Sequence, residues 1–592
     1  MQKKQTILVV ASLLVVVLSV TLAYFTAQII GEGKNISVSS ADLKIVFTDT
    51  DGNIEGNDIT PGWSNSKTFT VKNESNGTYK YDITIKDLVN TFKTYKYLEY
   101  KITSTDGGYN MTDYSYLPKS NTKEDVALAY EVSIDKGKTH TYTIEIKYVN
   151  DESVDQSIDM GQSLSGTIYI REFTKPTMKL TDKLMADNPT IGTRTTFTAF
   201  TETNTGTLYK ATEQIGTNPV KDVYYFAGDA KNNWVKFGKT TESSCTYNNS
   251  EVFYVDLSSG TMVIRKPYNQ EECLSSNVCT LNELKGVGVT DNICTGNGGT
   301  LTGEKATWNG TTTNDIYWRI IRTNADGSIK LLYAGTSPDS DKAYVGLSEF
   351  NTTSNDPMYV GYKYGTSGSL ENNRTNDNDS TIKRYVDNWY KNNLTAYTKY
   401  LSNDAVYCND RNLASGQTYS TKSYLEFAAY ERLNGKTITP TYNCTNMSDA
   451  FSGNNTSAKL DYPVSLMTAD EIAYAGGKYN TSIMNSPYPW YSVNSNNVRI
   501  VSYNAFYDSW GLLTPFDREY YYNESDPEEP GVDNSSIYVI DDNINLGIGK
   551  LLSGGLEVLV RPALSINSCV KWARGDGSPE KPYEILETEN GC

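Results

Sequence analysis

The sequence predicts a mainly β protein with some α, built as an N-terminal β-sandwich followed by an α+β domain. Between residues 37 and 172, short runs alternate apolar with polar residues, and turn dipeptides rather than helical patterns separate them. The 46 Tyr and the abundant Asn, Thr, Ser and Gly suit turn-rich β structure. Residues 317–333 form two alternating runs around Asp326-Gly327, a dipeptide typical of two-residue hairpin turns. The second domain is expected to fold over that hairpin.

The chain begins with an export signal. Lys3 and Lys4 precede an apolar run from Thr6 to Phe25, and Thr21-Leu-Ala23 offers small residues for cleavage. The run is also long enough to span a bilayer. Residues 1–29 are therefore expected to be either a cleaved signal peptide or a membrane anchor that contacts the membrane through residues 6–25. The rest of the chain is expected to be extracellular, either secreted or held at the cell surface.

Composition limits the partners and the chemistry. The 53 basic and 70 acidic residues give a net charge of −17, so nucleic acid is not an expected partner. His140 is the single histidine, which makes histidine-dependent catalysis and a metal site difficult to build. At the start of a strand, His140 is expected to be solvated or locally hydrogen-bonded. No metal ligands and no catalytic residues are predicted.

The first domain is predicted at residues 34–173. Its alternating runs are expected to be strands at residues 43–47, 67–72, 79–85, 140–148 and 166–170. Residues 174–205 are predicted to be a linker with a short helix around residues 180–185. The α+β domain is predicted at residues 206–567, and it opens with a hairpin whose arms are residues 222–227 and 233–237.

Three further elements belong to the second domain. Residues 239–315 hold four cysteines and are predicted to be a disulfide-pinned insertion. Ser380 is a plausible N-cap of a helix whose aromatic stripe, ending at Tyr390, is expected to pack in the core. Thr468 and Glu471 form a capping box that opens a short helix, which stops at Gly476.

The C-terminal segments and the cysteines complete the prediction. Residues 556–566 are expected to be a buried strand with Pro562 at an edge or bulge, and residues 568–592 a disulfide-closed tail. Eight cysteines in an exported chain predict disulfides rather than zinc. Cys408 and Cys444 bracket a polar excursion and are the best-supported pair. The other candidates, whose pairing the sequence leaves open, are Cys245, Cys273, Cys279, Cys294, Cys569 and Cys592.

The N-terminal part resembles a known family. The leader ending in Ala23-Tyr-Phe-Thr-Ala27, then Ala41-Asp-Leu-Lys-Ile45, then Pro61-Gly62 before Thr68-Phe-Thr-Val-Lys-Asn73, is similar to the camelysin/TasA-type proteins. These are exported Gram-positive surface and biofilm-matrix proteins. Over about the first 170 residues, the resemblance implies a jelly-roll sandwich. Some relatives were described as proteases, but the metal-ligand clusters that such an activity needs are absent, so that activity is not expected here.

The C-terminal part, over roughly residues 206–590, resembles a large family of uncharacterised surface domains in gut Firmicutes. The resemblance implies a C-type-lectin-like fold, close to the formylglycine-generating-enzyme branch. The marks that carry it occur in one order: Tyr317-Trp-Arg-Ile-Ile-Arg322, Thr381–Tyr390, Tyr407-Cys-Asn-Asp-Arg411, Leu466–Glu471, Trp490-Tyr-Ser492, Val560-Arg-Pro-Ala-Leu564 and Gly575-Asp-Gly-Ser-Pro579.

The function that these features favour is adhesion or recognition of a glycan or protein ligand at the cell surface. In a lectin-like domain, exposed aromatic rings can stack on sugars or grip peptide side chains. The candidate ligand-binding residues are Trp490, Tyr491, Tyr503, Trp510 and Tyr521, the last within the run Tyr520-Tyr-Tyr522. Ordinary core packing is the competing interpretation of each. The Glu-Pro-Asn and Trp-Asn-Asp marks of calcium-dependent lectins are absent, so no cofactor is predicted and calcium is an unsupported option.

Two alternatives stay open. A biofilm-matrix or fibre component would polymerise by strand donation from the sandwich. An enzyme of the formylglycine-generating type would need a reactive cysteine pair, and the spacing here favours structural bridges instead. Catalysis by a pair of carboxylates is not excluded either, although none of the acidic residues lies in a recognisable context.

Overall fold

A computed structural model describes most of the chain. The described residues are 26–31, 36–39, 44–49, 54–57, 59–173, 176–197, 200, 206–248, 250–256, 263–265, 267, 269–275, 277–281, 299–302, 305–339, 343–421, 423–435, 437–479, 489–492, 510–521, 532–540, 546–550 and 557–592. They belong to two compact units, Met1–Lys175 and Pro176–Cys592. None of the described helices is long and apolar enough to cross a membrane. The predicted leader, including the apolar run at residues 6–25, lies outside the described residues.

The first unit is made of two β-sheets. Its strands are β1 Thr26–Gly31, β2 Ile36–Ser39, β3 Lys44–Asp49, β4 Ile54–Asn57, β5 Ser64–Asn73, β6 Tyr79–Asn90, β7 Leu98–Ser104, β8 Ser115–Tyr116, β9 Ser120–Ile134, β10 Thr139–Tyr148 and β11 Ser163–Glu172. One sheet has the order β4-β1-β11-β6-β9, and the other has the order β2-β3-β5-β10-β7-β8. The described residues of the five predicted runs all fall on strands, so the mainly β prediction is confirmed for this unit.

Alternation of apolar and polar residues builds the core of this unit. Along β10 every second residue is buried, from His140 to Tyr148. Residues of both sheets contribute to one hydrophobic cluster, which includes Phe69, Ile83 and Ile168. Each sheet therefore buries one face against the same core.

The second unit is larger and is mainly β with six described helices. Its strands are β12 Thr190–Thr193, β13 Thr207–Glu213, β14 Lys221–Tyr225, β15 Trp234–Tyr247, β16 Ser250–Asp256, β17 Val263–Arg265, β18 Val278–Leu281, β19 Gly299–Leu301, β20 Thr307–Thr323, β21 Ile329–Tyr333, β22 Leu347–Glu349, β23 Lys363–Tyr364, β24 Asn378–Asp379, β25 Tyr407–Cys408, β26 Leu425–Glu426, β27 Ala450–Phe451, β28 Val464–Leu466, β29 Trp510–Tyr521, β30 Val532–Ile540, β31 Leu546–Lys550, β32 Glu557–Leu559, β33 Pro562–Ile566, β34 Trp572–Arg574 and β35 Tyr583–Ile585. Its helices are α1 Leu180–Asp187, α2 Gln270–Cys273, α3 Leu370–Asn373, α4 Thr381–Asn393, α5 Ala428–Asn434 and α6 Ala469–Ala475.

The hairpin β20–β21 lies at the centre of this unit. Trp318 is opposite Tyr333, and Ile320 is opposite Leu331. β20 also pairs with β14 and β15, while β21 pairs with β33, which in turn pairs with β28. The side chains of Trp318, Ile320 and Leu331 are fully buried. The hairpin predicted from the sequence is thus confirmed as a central element of the core.

The turn of the hairpin differs from the prediction. The backbone N–H of Asn324 donates to the carbonyl of Ser328 over 2.9 Å, which leaves three residues in the loop instead of two. Gly327 has φ +82°, a left-handed conformation that glycine adopts without a Cβ penalty. A three-residue loop with glycine in this position is a common hairpin connection, so Asp326-Gly327 locates the turn but not its length.

Three predicted boundaries are corrected. β14 and β15 do not pair with each other as arms of an opening hairpin, because both pair with β20. The predicted insertion at 239–315 continues the central sheet, since β15 and β20 stay paired out to Cys245 and Trp308. The short helix predicted around residues 180–185 is confirmed as α1, but it does not belong to a linker, because its Leu184 is fully buried in the main core.

The predicted local signals at helix ends are confirmed. Ser380 caps α4, because its Oγ accepts from the backbone N–H of Lys383 over 3.2 Å. Thr468 and Glu471 form the capping box of α6, and Gly476 ends that helix with φ +113°. The aromatic stripe of α4 packs on the hairpin, where the rings of Trp389 and Tyr333 lie 5.6 Å apart.

The described cysteines form three disulfides: Cys245–Cys273, Cys408–Cys444 and Cys569–Cys592. The predicted Cys408–Cys444 pair is therefore confirmed. Cys279 is buried, and Cys294 lies outside the described residues, so their pairing stays a prediction. The C-terminal tail is closed by a disulfide as predicted, but it is not separate from the domain. Its Tyr583 is fully buried and pairs with Val235 of the central sheet.

Candidate functional site

A network of buried charges lies against the central hairpin. Arg322 donates to Glu213 over 2.8 Å and to Glu471 over 3.0 Å, and Lys330 donates to Glu471 over 2.7 Å. All four side chains are at most 4% exposed. Burial costs each charge its hydration, so a group of two cations and two anions is stable only as a fully paired set. The network joins β13, the hairpin and helix α6.

The surroundings of the network complete its hydrogen bonding. The second carboxylate oxygen of Glu471 accepts from the backbone N–H of Thr468 over 3.0 Å, so the capping-box residue also neutralises the buried cations. Burial alone would raise the pKa of Glu471, but the charges of Lys330 and Arg322 outweigh it and lower that pKa. An enclosed cavity of about 20 Å³ adjoins the network, which is room for about one water molecule.

A surface groove of about 510 Å³ opens beside the network. Its lining comes from residues 213–221, the hairpin turn at 324–326, residues 404–406 and residues 447–455. Ligand sites in proteins usually have volumes of about 300–1,000 Å³. Glu213 lines both the groove and the enclosed cavity, and so the rigid network supports one wall of the groove.

The Cys408–Cys444 disulfide fixes the frame of the groove. The backbone N–H of Cys444 donates to Gln214 over 2.8 Å, and the N–H of Gly216 donates to Cys444 over 2.9 Å. The bridge thus ties the segment after Val406 to the loop that carries Met447 and to residues 214–216. Since all three segments border the groove, the disulfide holds its walls at a defined separation.

Two of the predicted ligand-binding residues lie in the core. Trp490 is 2% exposed, and its indole N–H donates to the carbonyl of Phe226 over 3.0 Å. Tyr491 is fully buried, and its carbonyl accepts from Arg561 over 2.6 Å. Because both rings are buried, the expectation of a stacking role is corrected. Ordinary core packing, the competing interpretation, describes both residues.

For the other three predicted ligand-binding residues, no side-chain position is described. Trp510 and Tyr521 are the first and last residues of strand β29, of which only the backbone is described at those two positions. Tyr503 lies outside the described residues. Neither the network nor the groove was predicted from the sequence. The sequence signal that bears on the groove is the turn dipeptide Asp326-Gly327, because its Asp326 lines the groove.

The bridged cysteines and His140 are held in structural contacts. Six cysteines are bridged, and a bridged cysteine has no thiolate to act as a nucleophile. His140 is 5% exposed, its Nδ1 lies 2.8 Å from the hydroxyl of Tyr81, and burial lowers its pKa. It is buried rather than solvated, and Tyr81 lies on β6 of the other sheet, 59 residues away in the sequence, so neither role expected for His140 is confirmed.

Among the residues that the structure describes, one group of carboxylates is close enough to hold a cation. Oxygens of Asp379, Asp387 and Asp461 lie within 4.8 Å of one another. The buried ammonium of Lys383 lies 3.3, 2.5 and 2.8 Å from these three carboxylates, respectively. Burial acts to lower the pKa of Lys383, but the carboxylates, Asp387 first, raise it to about 12. The lysine therefore offsets part of the negative charge of the three carboxylates.

Comparisons with known proteins add no relative. No protein-family model matches the chain, and no curated protein sequence matches it. The groove and the charges around it therefore carry the functional inference.

Proposed function

We propose that this protein is an exported, non-catalytic cell-surface protein of adhesion or ligand recognition, and that the groove beside the hairpin turn binds its ligand. The observation that carries the proposal is the groove itself, about 510 Å³ in volume, with walls tied by a disulfide and a buried charge network. Such a preformed site loses little conformational entropy when a ligand binds.

The proposal also includes the specific folds of the two units. The two sheets of the first unit and their shared core support a jelly-roll-like sandwich. The closing strand β33, paired with the central hairpin, supports a C-type-lectin-like second domain. Three disulfides support folding in an oxidising compartment, outside the cell, where such bridges persist.

A fibre or matrix component is the second candidate, and strand β9 bears on it. β9 is an outer strand of its sheet and pairs only with β6 among the described strands. It carries the charges of Lys123, Glu124 and Asp125, and its register shifts at several points, with Glu131 at φ +52°. Charged side chains and bulges on an edge strand oppose pairing with another copy. This edge therefore gives strand donation little support.

An enzyme of the formylglycine-generating type is the third candidate. It would need a thiol pair that opens onto a groove. Cys408 lines the enclosed cavity, not the surface groove, and it is bridged to Cys444. The described residues thus favour recognition over catalysis.

The proposal is tested by filling the groove. Asn218 is exposed and lines the groove, so Asn218→Trp places a large ring there without disturbing the core. Asn392→Trp, on the exposed face of α4, is the matched control. Both proteins are applied to arrays of glycans and of peptides. We expect Asn218→Trp to abolish a binding signal that the control keeps. Equal signals from both variants, or turnover of a substrate without array binding, would overturn the proposal.

A further inference from the structure

We infer that the groove takes a peptide segment in which a lysine or arginine side chain lies next to aliphatic residues. This inference rests on the proposed function and adds the chemical class of the ligand. It follows from two contrasting walls of the groove, the acidic wall (Asp326, Asp404 and Asn454) and the apolar wall (Ile215, Pro219 and Met447), all of which line it.

The acidic wall is organised by one hydroxyl group. Ser402 Oγ donates to Asp326 Oδ2 over 2.6 Å and accepts from the backbone N–H groups of Asp404 and Ala405, each over 3.1 Å. Because the same oxygen contacts both segments, the two acidic residues lie side by side. Asp326 and Asp404 are both exposed, so their carboxylates are available to a ligand.

Hydrogen bonds hold this wall in position before any ligand arrives. Asn454 donates to Asp404 Oδ1 over 2.8 Å through its side chain and to the carbonyl of Asn403 over 3.1 Å through its backbone. Asp326 Oδ1 accepts from the backbone N–H of Ser328 over 2.9 Å, which fixes the carboxylate within the turn. Each carboxylate therefore keeps acceptor capacity for a charged donor.

The apolar wall is open to solvent. Met447, which lines the groove, is 40% exposed. Gly216 has φ +57°, and a Cβ added there would lie 2.7 Å from the sulfur of Met447. The glycine thus lets the methionine lie against the loop. An unbranched, polarisable side chain in such a position adapts to aliphatic partners.

Charge and lining chemistry select the ligand. Among the described residues that line the groove, Lys221 is the only lysine or arginine, and Glu213 is neutralised by Arg322. Two exposed carboxylates thus outnumber one ammonium, within a chain of net charge −17. The same described lining includes no aromatic ring, the surface on which sugars usually stack. A peptide with basic and aliphatic side chains can pair with the acidic wall and pack on the apolar wall. A neutral sugar offers neither a cation to the first wall nor an aliphatic side chain to the second.

The test uses the full chain and capped peptides of equal length and equal leucine content, with two lysines, two glutamines or two glutamates. A neutral oligosaccharide is the fourth probe, and fluorescence anisotropy measures binding. We expect the lysine peptide to bind best and to weaken about tenfold in the double variant Asp326→Asn, Asp404→Asn. Glu580→Gln, an exposed carboxylate remote from the groove lining, should leave affinity unchanged.

The outcomes separate this inference from the proposed function. The ligand class is wrong if the glutamine peptide or the oligosaccharide binds as well as the lysine peptide and the Asp variants do not weaken that binding. The groove remains the binding site in that case if Asn218→Trp abolishes the binding. If no probe binds while Asn218→Trp abolishes an array signal, the ligand class is again wrong and the groove stands, whereas both proposals fail if Asn218→Trp leaves all binding intact. A rise in salt from about 50 to 500 mM should weaken the lysine peptide selectively, because exposed charge pairs are screened.

Discussion

Around the turn of the central hairpin, buried and exposed acidic residues are used in opposite ways. Near the strands, Glu471 and Glu213 are buried and fully paired with Arg322 and Lys330. At the turn, Asp326 is exposed and bonded to two serines. The same chemical group thus holds the fold together in one place and faces solvent in the other. Burial decides the difference, because a charge removed from water must find a partner whereas a solvated charge need not.

The largest effect is expected from Glu471→Gln. The variant leaves Arg322 and Lys330 buried with Glu213 as the one remaining carboxylate of the network. We expect the free energy of unfolding to fall by about 3–5 kcal/mol, the usual cost of breaking a buried pair. Urea unfolding followed by tryptophan fluorescence measures this, because seven of the eight tryptophans lie in the second unit. Glu580→Gln, which is exposed, should change the same quantity by less than about 0.5 kcal/mol.

A small effect of Glu471→Gln would contradict the contrast drawn between the buried, paired carboxylates and the exposed Asp326. If the loss were below about 1 kcal/mol, the buried cations would be stable without full neutralisation, contrary to the cost of an uncompensated buried charge. The loss would then be explained by the helix cap that Glu471 also forms, because losing a cap alone costs about 0.5–2 kcal/mol.

The next effect comes from removing the disulfide that frames the groove. Replacing Cys408 and Cys444 by serine opens a bridge between residues 36 apart in sequence. We expect a loss of about 2–4 kcal/mol in the free energy of unfolding, because the unfolded chain regains entropy. Binding at the groove should also be lost, because the loops that line it are no longer tied. The unfolding curve and the array signal measure the two effects.

The C-terminal bridge is the control for this variant. Cys569→Ser with Cys592→Ser removes a bridge between residues 23 apart, neither of which lines the groove. It should reduce stability comparably but leave ligand binding intact. Unchanged binding in the Cys408/Cys444 variant, measured at a temperature where it stays folded, would show that the groove does not depend on its disulfide.

A third effect contrasts Glu471 with Glu349, a carboxyl whose pKa is shifted by burial alone. One carboxylate oxygen of Glu349 is buried without a hydrogen bond among the described residues, and burial raises its pKa to about 7. In the unfolded chain a glutamate has a pKa of about 4.3. The folded protein therefore binds the proton more tightly, so stability decreases as the pH rises from about 4 to 7.

Glu349→Gln removes this pH dependence. We expect the variant to equal the parent protein at pH 4 and to be more stable by about 1–2 kcal/mol at pH 8, where the buried carboxylate is ionised in the parent. Urea unfolding at pH 4, 6 and 8 measures the difference. A difference that stays constant with pH would show that Glu349 is not the titrating group.

The sequence could predict what depends on neighbouring residues. The caps at Ser380 and Thr468 and the hairpin at Asp326-Gly327 follow from spacing within short stretches, and the structure confirms them. The Cys408–Cys444 pair, 36 residues apart, follows from the polar excursion that it brackets, and the structure confirms it too. Which strands pair is decided by packing across the whole unit. For this reason β14 and β15 each pair with β20 and do not pair with each other.

The site could not be predicted for the same reason. The groove is assembled from four segments spread between residues 213 and 455, and none of them alone has a pattern that marks a ligand site. Trp490 shows the converse. Its chemistry suggests a surface for sugars, but its indole N–H finds a backbone carbonyl in the core. An aromatic residue with a polar edge suits either place, and only the tertiary packing distinguishes them.

The smallest effect on stability, and the sharpest test of the comparison, is expected from Asp326→Asn. The amide keeps one acceptor oxygen, for Ser328, and loses the oxygen that accepts from Ser402; because the side chain is exposed, the free energy of unfolding should change by no more than about 1 kcal/mol. Affinity for the lysine peptide should nevertheless fall about threefold, and its dependence on salt should weaken, because one of the two exposed carboxylates is gone. A drop in stability comparable to that of Glu471→Gln would mean that the turn is a structural element like the network. The buried and the exposed carboxylates near the turn would then differ in exposure but not in role.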